Sequence, residues 1–287
     1  MLGPLPAPPG AGVLRGENTM KTLRAGARRP LRPVAVLLVA AVVVLGTACE
    51  PTRTPAKDRV VVMVHGYSLF GNGVNCNSAF GTLANSLRSQ GFTGQVVTVG
   101  FYDSDSNCSV NLRNWGSGIS NSTSWRTLAK AFSKYVYDTY TSKGIPVDLV
   151  GHSMGGLITR GAVFGAERRE SGFSGPLLVE DAVTLGTPHK GAAWYSNGCL
   201  WGQCSQLKPG ADDIVWLNQN GNPQGAKGTD WTVLASTNDD VTPADSGLYM
   251  ALPAARKVQY SNLEHSDYSN DTTSTARIGL ALSTLGS

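Results

Sequence analysis

Ser153 is the residue whose surroundings point most directly to chemistry. It lies in Gly151-His152-Ser153-Met154-Gly155, after a strand-like run over residues 147–150 and before a segment that suits a helix. A strand, Gly-x-Ser-x-Gly and a helix form a nucleophile elbow, a strained turn that exposes the serine hydroxyl. The turn needs both glycines because a Cβ at either position would meet a neighbouring strand or helix. The sequence therefore predicts Ser153 as a nucleophile, with negative charge stabilised by the N-terminal end of the helix.

A serine hydroxyl needs a general base, and the chain has four histidines. His152 lies inside the elbow with its side chain facing away from the serine hydroxyl. His65 ends a strand-like run, the usual place of a structural histidine beneath an oxyanion loop, and His189 directly follows another such run. When a serine lies on an elbow, the acid and then the base follow it in the chain. Only His265 lies far enough downstream, so we predict it as the general base.

The base needs a carboxylate that fixes its tautomer and stabilises the imidazolium. Asp239 and Asp240 lie in the loop after a predicted strand over residues 231–236. Two adjacent aspartates point in different directions, so only one of them can play this role. The spacing to the residues that follow favours Asp239 and leaves Asp240 as the alternative. Asp212 and Asp213 are weaker alternatives because they fall in an insertion and are typical of a solvated helix start.

From about Arg59 onward, the sequence resembles the α/β-hydrolase lipases, especially the small secreted bacterial ones. The resemblance rests on Val64-His65-Gly66-Tyr67, Gly151-His152-Ser153-Met154-Gly155-Gly156, Leu185-Gly186-Thr187-Pro188-His189-Lys190-Gly191, Ser236-Thr237-Asn238-Asp239 and His265. It implies an oxyanion hole formed by the backbone N–H groups of Tyr67 and Met154. The chain departs from the pattern in its longer loop over residues 67–73 and in the polar pair Ser266-Asp267 that follows the base.

The resemblance implies a serine hydrolase that cleaves carboxylic esters, a triacylglycerol lipase or a lipase-like esterase. Ser153 would attack the ester carbonyl, and His265 would move the proton while an acyl-enzyme forms and is hydrolysed. A cell-envelope acyltransferase with the same triad is the alternative, and a non-catalytic binding relative is disfavoured because all the catalytic groups are present. We expect a monomer that takes an ester or lipid substrate and needs no cofactor or metal.

Strands and helices alternate along the predicted catalytic domain, residues 59–287. The sequence predicts strands over 60–64, 95–101, 147–150, 179–185 and 231–236, helices over 78–90, 124–142 and 272–285, and a polar loop over 103–119. This alternation predicts the α/β class, a mostly parallel sheet with helices on both faces. The connector over residues 191–228 is long and carries Trp194, Tyr195, Trp201 and Trp216. Local packing of an insertion and the wall of an acyl pocket explain these aromatic residues equally well.

Charge and composition exclude two classes of protein. Charged residues make up 15% of the chain and apolar residues 41%, so it can bury a sizeable core without resembling a membrane bundle. The formal net charge is +4, but the first 48 residues hold six Lys or Arg and one acid. The remainder then has 18 basic and 19 acidic residues, a net charge of −1. The body of the chain is therefore not a nucleic-acid-binding surface.

Residues 1–48 are predicted to be an export signal, with Met20 as a candidate true start. An apolar stretch over residues 34–45 follows a positively charged region and is too short for a comfortable transmembrane span. Small residues then precede Cys49, for which two outcomes stay open. Lipid attachment to Cys49 would tether the protein to the outer face of the cell membrane, and ordinary cleavage nearby would release it. Residues 49–58 form a Pro/Thr-rich tether.

The number of cysteines is consistent with an exported protein that forms disulfides. Five cysteines leave one odd thiol, but the number becomes even if Cys49 is lipidated or lost with the signal. Cys199 and Cys204 enclose a short loop, which favours their pairing and leaves Cys76 with Cys108. A zinc site built from these four is disfavoured because the spacing lacks a close Cys-x-x-Cys pair.

Overall fold

The computed structural model describes residues 56–68, 72–192 and 202–284. The strands are β1 (Val60–Val64), β2 (Val96–Gly100), β3 (Val110–Asn111), β4 (Val147–His152), β5 (Val179–Leu185), β6 (Asp230–Ser236) and β7 (Lys257–Tyr260). The helices are α1 (Cys76–Ser89), α2 (Trp125–Thr139), α3 (Met154–Glu167), α4 (Gly202–Ser205), α5 (Asp212–Leu217), α6 (Ala244–Gly247) and α7 (Thr272–Ala281). Short 3-10 turns cover Leu112–Asn114, Thr141–Lys143 and Ala254–Arg256.

These strands form one sheet in the order β3-β2-β1-β4-β5-β6-β7, and every neighbouring pair is parallel. Helices connect most of them, so the chain has the α/β architecture that the alternating pattern predicts and that the resemblance to α/β-hydrolases implies. Because all strands run the same way, their carboxyl ends meet at one edge of the sheet. Loops from that edge can bring residues distant in sequence to a single site.

Alternating side chains of the strands pack against two helical layers. In β1, Val62 and Val64 join a core that includes residues of α2 and α3, whereas Val61 and Met63 join a second core with residues of α1 and α7. A period of two along a strand produces this division. Both faces of the sheet are therefore covered, as the sequence predicts.

Side-chain caps fix where three helices begin. Ser124 accepts a hydrogen bond from the N–H of Thr127 and starts α2 where the sequence predicts it. Asn75 accepts from two N–H groups of the first turn of α1, so that helix begins at Cys76 rather than at residue 78. Asp271 caps α7, which ends at Ala281 rather than at 285.

Several short elements are absent from the sequence prediction. The connector over 191–228 contains α4 and α5, and the polar segment over 103–119 contains β3 and a 3-10 turn. The edge strand β7 and the helix α6 were also missed. The predicted export signal and most of the tether, including Cys49, lie outside the described residues. No helix in the described ranges is long and apolar enough to cross a membrane.

Candidate active site

The backbone at Ser153 makes a tight, strained turn between β4 and α3. Ser153 has φ 54° and ψ −127°, a conformation that non-glycine residues rarely adopt. A Cβ added at Gly151 would lie 2.5 Å from the Cα of Gly156, and one at Gly155 would lie 2.1 Å from the carbonyl oxygen of Val64. Both motif glycines are thus required by close backbone approach, as in a nucleophile elbow.

Three of the predicted site residues form one hydrogen-bonded chain. The Oγ of Ser153 lies 2.9 Å from Nε2 of His265. The other ring nitrogen, Nδ1, lies 3.0 Å from both carboxylate oxygens of Asp239. Because an ionised carboxylate only accepts, Nδ1–H donates to Asp239 and Nε2 accepts from the serine hydroxyl. This is the arrangement in which an imidazole can remove the serine proton.

Asp239, not Asp240, contacts the histidine. Its Oδ1 also accepts the backbone N–H groups of Val241 and Thr242, at 2.9 and 2.8 Å, and its Oδ2 accepts the Tyr268 hydroxyl at 3.0 Å. Burial raises the pKa of Asp239, but His265 and the two backbone donors outweigh burial and hold the pKa below its ordinary value. Asp240 is exposed.

The alternative acids lie elsewhere. Asp212 and Asp213 are the first residues of α5, a helix start as the sequence indicates. Asp213 lies 3.4 Å from the guanidinium of Arg126.

His152 contacts both the backbone and the ring of the base, a role that the sequence did not predict. Its Nε2–H donates to the carbonyl oxygen of His265 at 2.7 Å, and the two rings lie 4.9 Å apart. Burial, together with the neighbouring His265, lowers the pKa of His152 to about 3. A neutral His152 therefore anchors the backbone of the loop that carries the base.

Gly66 and Tyr67 follow β1 and lie beside the nucleophile. A Cβ at Gly66 would lie 2.6 Å from the Cβ of Ser153. The Nδ1–H of His65 donates to the carbonyl oxygen of Gly66 at 2.9 Å. A trans peptide points its C=O and N–H in opposite directions, so this bond turns the Tyr67 N–H away from His65. Met154, the other predicted oxyanion donor, is the first residue of α3.

Asp105 holds this region together, and no motif in the sequence marks it. Its carboxylate accepts from Nε2 of His65 at 2.9 Å. It also accepts from three backbone N–H groups, those of Val74, Phe101 and Tyr102. Burial raises the pKa of Asp105, but these donors outweigh burial and the pKa lies below its ordinary value. The end of β1 is therefore fixed to the loop after β2.

Ser153 and His265 face a cleft of about 410 Å³. The cleft is bounded by the residues after β1, the start of α1 and the loop after His265. Ser153 is only 6% exposed. A substrate must therefore enter the cleft to meet the serine hydroxyl.

A comparison with known protein families shows which family the chain belongs to. Residues 57–204 match the PGAP1-like α/β domain. The chain belongs to this family. Among curated proteins, the sequence comparison finds no match.

Solved structures share the fold of this PGAP1-like domain. The mature form of the Bacillus licheniformis lipase BlEst2 aligns over 82% of this chain and 95% of its own, with a TM-score of 0.55 and 17% identity. Aspergillus fumigatus lipase B aligns over 80% of this chain and 53% of its own, with a TM-score of 0.55 and 15% identity. Identities this low show the α/β-hydrolase fold alone.

The family match and the geometry cover different parts of the site. The PGAP1-like region, residues 57–204, includes Ser153 and both predicted oxyanion donors. Asp239 and His265 lie downstream of it. Their place beside the nucleophile rests on the parallel sheet, in which β6 pairs with β5 and β5 pairs with β4.

One disulfide of the PGAP1-like domain adjoins the cleft. Cys76 and Cys108 are bonded, as the sequence predicts, and join the start of α1 to the loop after β2. Cys204 is also disulfide-bonded, while its predicted partner Cys199 lies outside the described residues. Within the described ranges, no group of three His, Cys, Asp or Glu side chains could hold a metal ion.

The aromatic residues of the connector fall into two groups. Trp216 packs in the core against Trp125, Phe164 and Phe173, and its ring N–H donates to Glu170. It therefore serves local packing rather than the wall of the cleft. The other three, Trp194, Tyr195 and Trp201, lie outside the described residues.

Proposed function

We infer that this protein is a serine hydrolase of carboxylic esters, a lipase or a lipase-like esterase. The observation that carries the proposal is the hydrogen-bonded chain from Ser153 Oγ through His265 to Asp239. Membership of the PGAP1-like family and a fold shared with two lipases support the same class of reaction.

Acylation begins when Ser153 Oγ attacks the ester carbonyl carbon and passes its proton to Nε2 of His265. Asp239 stabilises the imidazolium through its bond to Nδ1–H. The carbonyl oxygen becomes an oxyanion that accepts from the backbone N–H groups of Tyr67 and Met154. The tetrahedral intermediate then collapses, and the bond to the alcohol oxygen breaks. His265 returns its proton to that oxygen, which leaves an acyl group on Ser153.

Deacylation repeats these steps with water in place of the serine. His265 removes a proton from water, whose oxygen attacks the acyl carbon. Collapse of the second intermediate breaks the bond to Ser153 Oγ, which regains its proton from His265. The carboxylic acid leaves, and the site returns to its starting state.

The nucleophile is tested by Ser153→Ala with p-nitrophenyl esters of graded chain length. We expect kcat to fall by a factor on the order of 10⁴ or more while the fold is retained, because the alanine cannot form the acyl-enzyme. A fluorophosphonate probe should label Ser153 in the wild-type protein. Measurements with and without added alcohol separate hydrolysis from acyl transfer.

Ser142→Ala is the matched control, since Ser142 is exposed and lies just before β4, at the edge of the sheet opposite to Ser153. This variant should keep wild-type turnover and labelling. Near-normal turnover of Ser153→Ala, or labelling at another serine, would remove the basis of the proposal.

We propose that the protein acts outside the cytoplasm, either released or tethered through a lipid on Cys49. A disulfide between Cys76 and Cys108 supports this location because disulfides persist in oxidising compartments. Mass spectrometry of the mature N-terminus tests it. A diacylated Cys49 supports the tether, a start beyond Cys49 supports release, and an intact residue 1–48 segment contradicts export.

A further inference from the structure

Tyr268 is a fully buried tyrosine whose hydroxyl contacts the acid of the hydrogen-bonded chain. The hydroxyl donates to Oδ2 of Asp239 at 3.0 Å. An ionised carboxylate only accepts, so the tyrosine supplies the proton of this bond. Burial and the negative charge of Asp239 both raise the pKa of Tyr268 above its ordinary value. The hydroxyl therefore remains a donor over the whole pH range in which a histidine can act as a base.

The same carboxylate oxygen also receives a bond from the base. Nδ1 of His265 lies 3.0 Å from Oδ2 of Asp239, the atom that accepts the Tyr268 hydroxyl. Oδ1 in addition accepts two backbone N–H groups from the loop that carries Asp239 itself. Two side chains from residues three positions apart thus meet on one oxygen. Tyr268 gives the loop of the base a second attachment to the acid.

A closed turn makes His265 and Tyr268 one unit. The backbone N–H of Asp267 donates to the carbonyl oxygen of Glu264 at 3.1 Å, and the Asp267 carboxylate accepts from the Glu264 N–H at 2.8 Å. These two bonds close the chain around His265. The carbonyl oxygen of Asp267 then accepts from the N–H groups of residues 270 and 271, just before α7. The turn therefore carries the imidazole and the phenol ring at a fixed separation.

Gly186 shows how closely the three side chains approach one another. This glycine follows β5 in the Leu-Gly-Thr-Pro-His segment over residues 185–189, and its φ is 51°. A Cβ there would lie 2.6 Å from Cε2 of Tyr268, 2.9 Å from Oδ2 of Asp239 and 3.3 Å from Nδ1 of His265. The phenol ring, the carboxylate and the imidazole therefore converge at the end of β5. The glycine of this segment leaves the space that they need.

Two attachments orient the base better than one. A single bond from Nδ1 allows the His265 ring to tilt about that bond, which moves Nε2 relative to Ser153. With Tyr268 on the same oxygen, the carboxylate and the turn are fixed to each other, and Nε2 lies 2.9 Å from Ser153 Oγ. A misplacement of about 1 Å at a reacting group can cost on the order of 100-fold in rate. A donor that holds the carboxylate in place therefore bears directly on catalysis.

We propose that Tyr268 is a positioning residue, which fixes the Asp239 carboxylate relative to the turn that carries the base. This inference rests on the proposed serine hydrolase. Tyr268 acts through Asp239 and His265 and touches no substrate. Two consequences follow, a loss of kcat without a change in KM and a dependence of that loss on the carboxylate.

Tyr268→Phe removes the hydroxyl and keeps the ring that packs over Gly186. With p-nitrophenyl butyrate, we expect kcat to fall about tenfold and KM to stay within about twofold, because a hydrogen bond to a charged group is lost while the cleft is unchanged. The rate at which a fluorophosphonate labels Ser153 should fall by a similar factor, since labelling needs the same base. This second readout does not depend on the identity of the ester.

A double-mutant cycle separates positioning from a loss of stability. In the Asp239→Asn background, Tyr268→Phe should change kcat by less than about twofold, because the bond it removes no longer joins a carboxylate to the turn of the base. In the wild-type background the same substitution should cost about tenfold. A destabilised fold would instead give the same factor in both backgrounds.

Tyr135→Phe is the matched control. Tyr135 is also buried, its hydroxyl bonds to that of Tyr140 at 3.1 Å, and neither of these two residues lines the cleft. The loss of one buried hydrogen bond should lower Tm by about 2–4 °C. The kcat and the labelling rate of this variant should equal those of wild type. The Tm of Tyr268→Phe is measured in the same way and shows whether that variant is folded.

Unchanged kcat and labelling in Tyr268→Phe would overturn the positioning role and leave the ester hydrolase standing. Equal factors in both backgrounds, or a loss confined to KM, would do the same. An unfolded Tyr268→Phe would also contradict the inference, since the hydroxyl would then serve the fold. Slower labelling of Ser153 in a protein that hydrolyses no ester would support the positioning role and overturn the proposed function. A wild-type Ser153 that neither labels nor turns over an ester would overturn both.

Discussion

Asp239 and Asp240 are neighbours in the chain with different surroundings. Asp239 binds both the histidine and three further donors, whereas Asp240 is exposed. Asp239→Asn keeps the shape but presents an N–H₂ group where His265 needs an acceptor, which favours the wrong tautomer. We expect kcat to fall by roughly 10³- to 10⁴-fold. Asp240→Asn should stay within about twofold, and comparable losses in both variants would show that the hydrogen bond to His265 does not decide the role.

His152 is a positioning residue for the base. His152→Leu removes the donor to the His265 carbonyl oxygen, so the loop that carries the base loses an anchor. We expect kcat to fall about tenfold with KM nearly unchanged, because the lost bond orients the base rather than the substrate. His152→Gln retains an N–H donor and should recover part of the loss. An unchanged kcat in His152→Leu, or a change confined to KM, would rule out this role.

Motif and chain order single out Ser153 and His265, and spacing favours Asp239, which is the aspartate that contacts His265 in the structure. The second layer of contacts is different. His152 meets the carbonyl oxygen of a residue 113 positions away, and Asp105 meets His65 across 40 positions. A buried carboxylate in a polar loop has no sequence signature, since its role depends on donors that only the folded chain brings to it.

At the scale of elements, the start of α1 and the loop after β2 form one unit beside the cleft. The Cys76–Cys108 disulfide joins them over 32 residues of sequence, and Asp105 lies in the same loop. Closing a loop of that length removes unfolded-state entropy worth about 3–4 kcal/mol. The bond therefore stabilises the wall of the cleft as well as the whole domain.

Cys76→Ser/Cys108→Ser should lower Tm by on the order of 10 °C in a domain of this size. Differential scanning calorimetry of wild-type and double-serine protein measures the shift, and mass spectrometry without reductant verifies the bond. The proposed ester hydrolysis should persist at 25 °C because Ser153, His265 and Asp239 lie outside α1 and the loop after β2. An unchanged Tm would mean that strain in the folded protein offsets the entropic gain.

The sequence predicts strands and helices well where a continuous apolar run marks them. It fails for short, half-polar strands and where one capping side chain sets the boundary of a helix. The central strands β1, β4, β5 and β6 are buried runs that their composition reveals. The edge strand β7, Lys-Val-Gln-Tyr, is short and half polar, so its pairing with β6 depends on the sheet rather than on its own residues. The start of α1 depends on the Asn75 cap.

At the scale of the whole molecule, the alternation of strands and helices predicts the parallel sheet. No sequence pattern predicts how the long connector over residues 191–228 packs. Arg160 of α3 holds the end of that connector through the carbonyl oxygens of Leu217 and Asn220 and the side chain of Asn218. It is fully buried, and burial lowers its pKa to about 9. These contacts join segments nearly 60 residues apart, so only the folded chain defines them.

Buried neutral histidines make the stability of the molecule depend on pH. His189 donates from Nε2–H to the Thr184 hydroxyl at 3.0 Å and accepts from Arg160 at its Nδ1 at 3.2 Å. Burial and the charge of Arg160 hold the pKa of His189 well below its ordinary value. Below about pH 6.5 the unfolded chain binds a proton at this position and the folded chain does not. The free energy of unfolding therefore decreases as pH falls through this range.

His189→Gln removes that proton while keeping an amide donor and acceptor. We expect the variant to be less stable than wild type at pH 7.5 and the gap to narrow below pH 6.5, by up to about 1.4 kcal/mol per pH unit. Urea unfolding at pH 7.5, 6.5, 5.5 and 4.5 measures the difference in free energy of unfolding between the two proteins. Groups that both proteins share titrate equally in each, so their contribution cancels in this difference. Ser142→Ala should run parallel to wild type at every pH. If the free energy of unfolding of His189→Gln also ran parallel to wild type against pH, His189 would take up its proton in the folded protein as readily as in the unfolded chain.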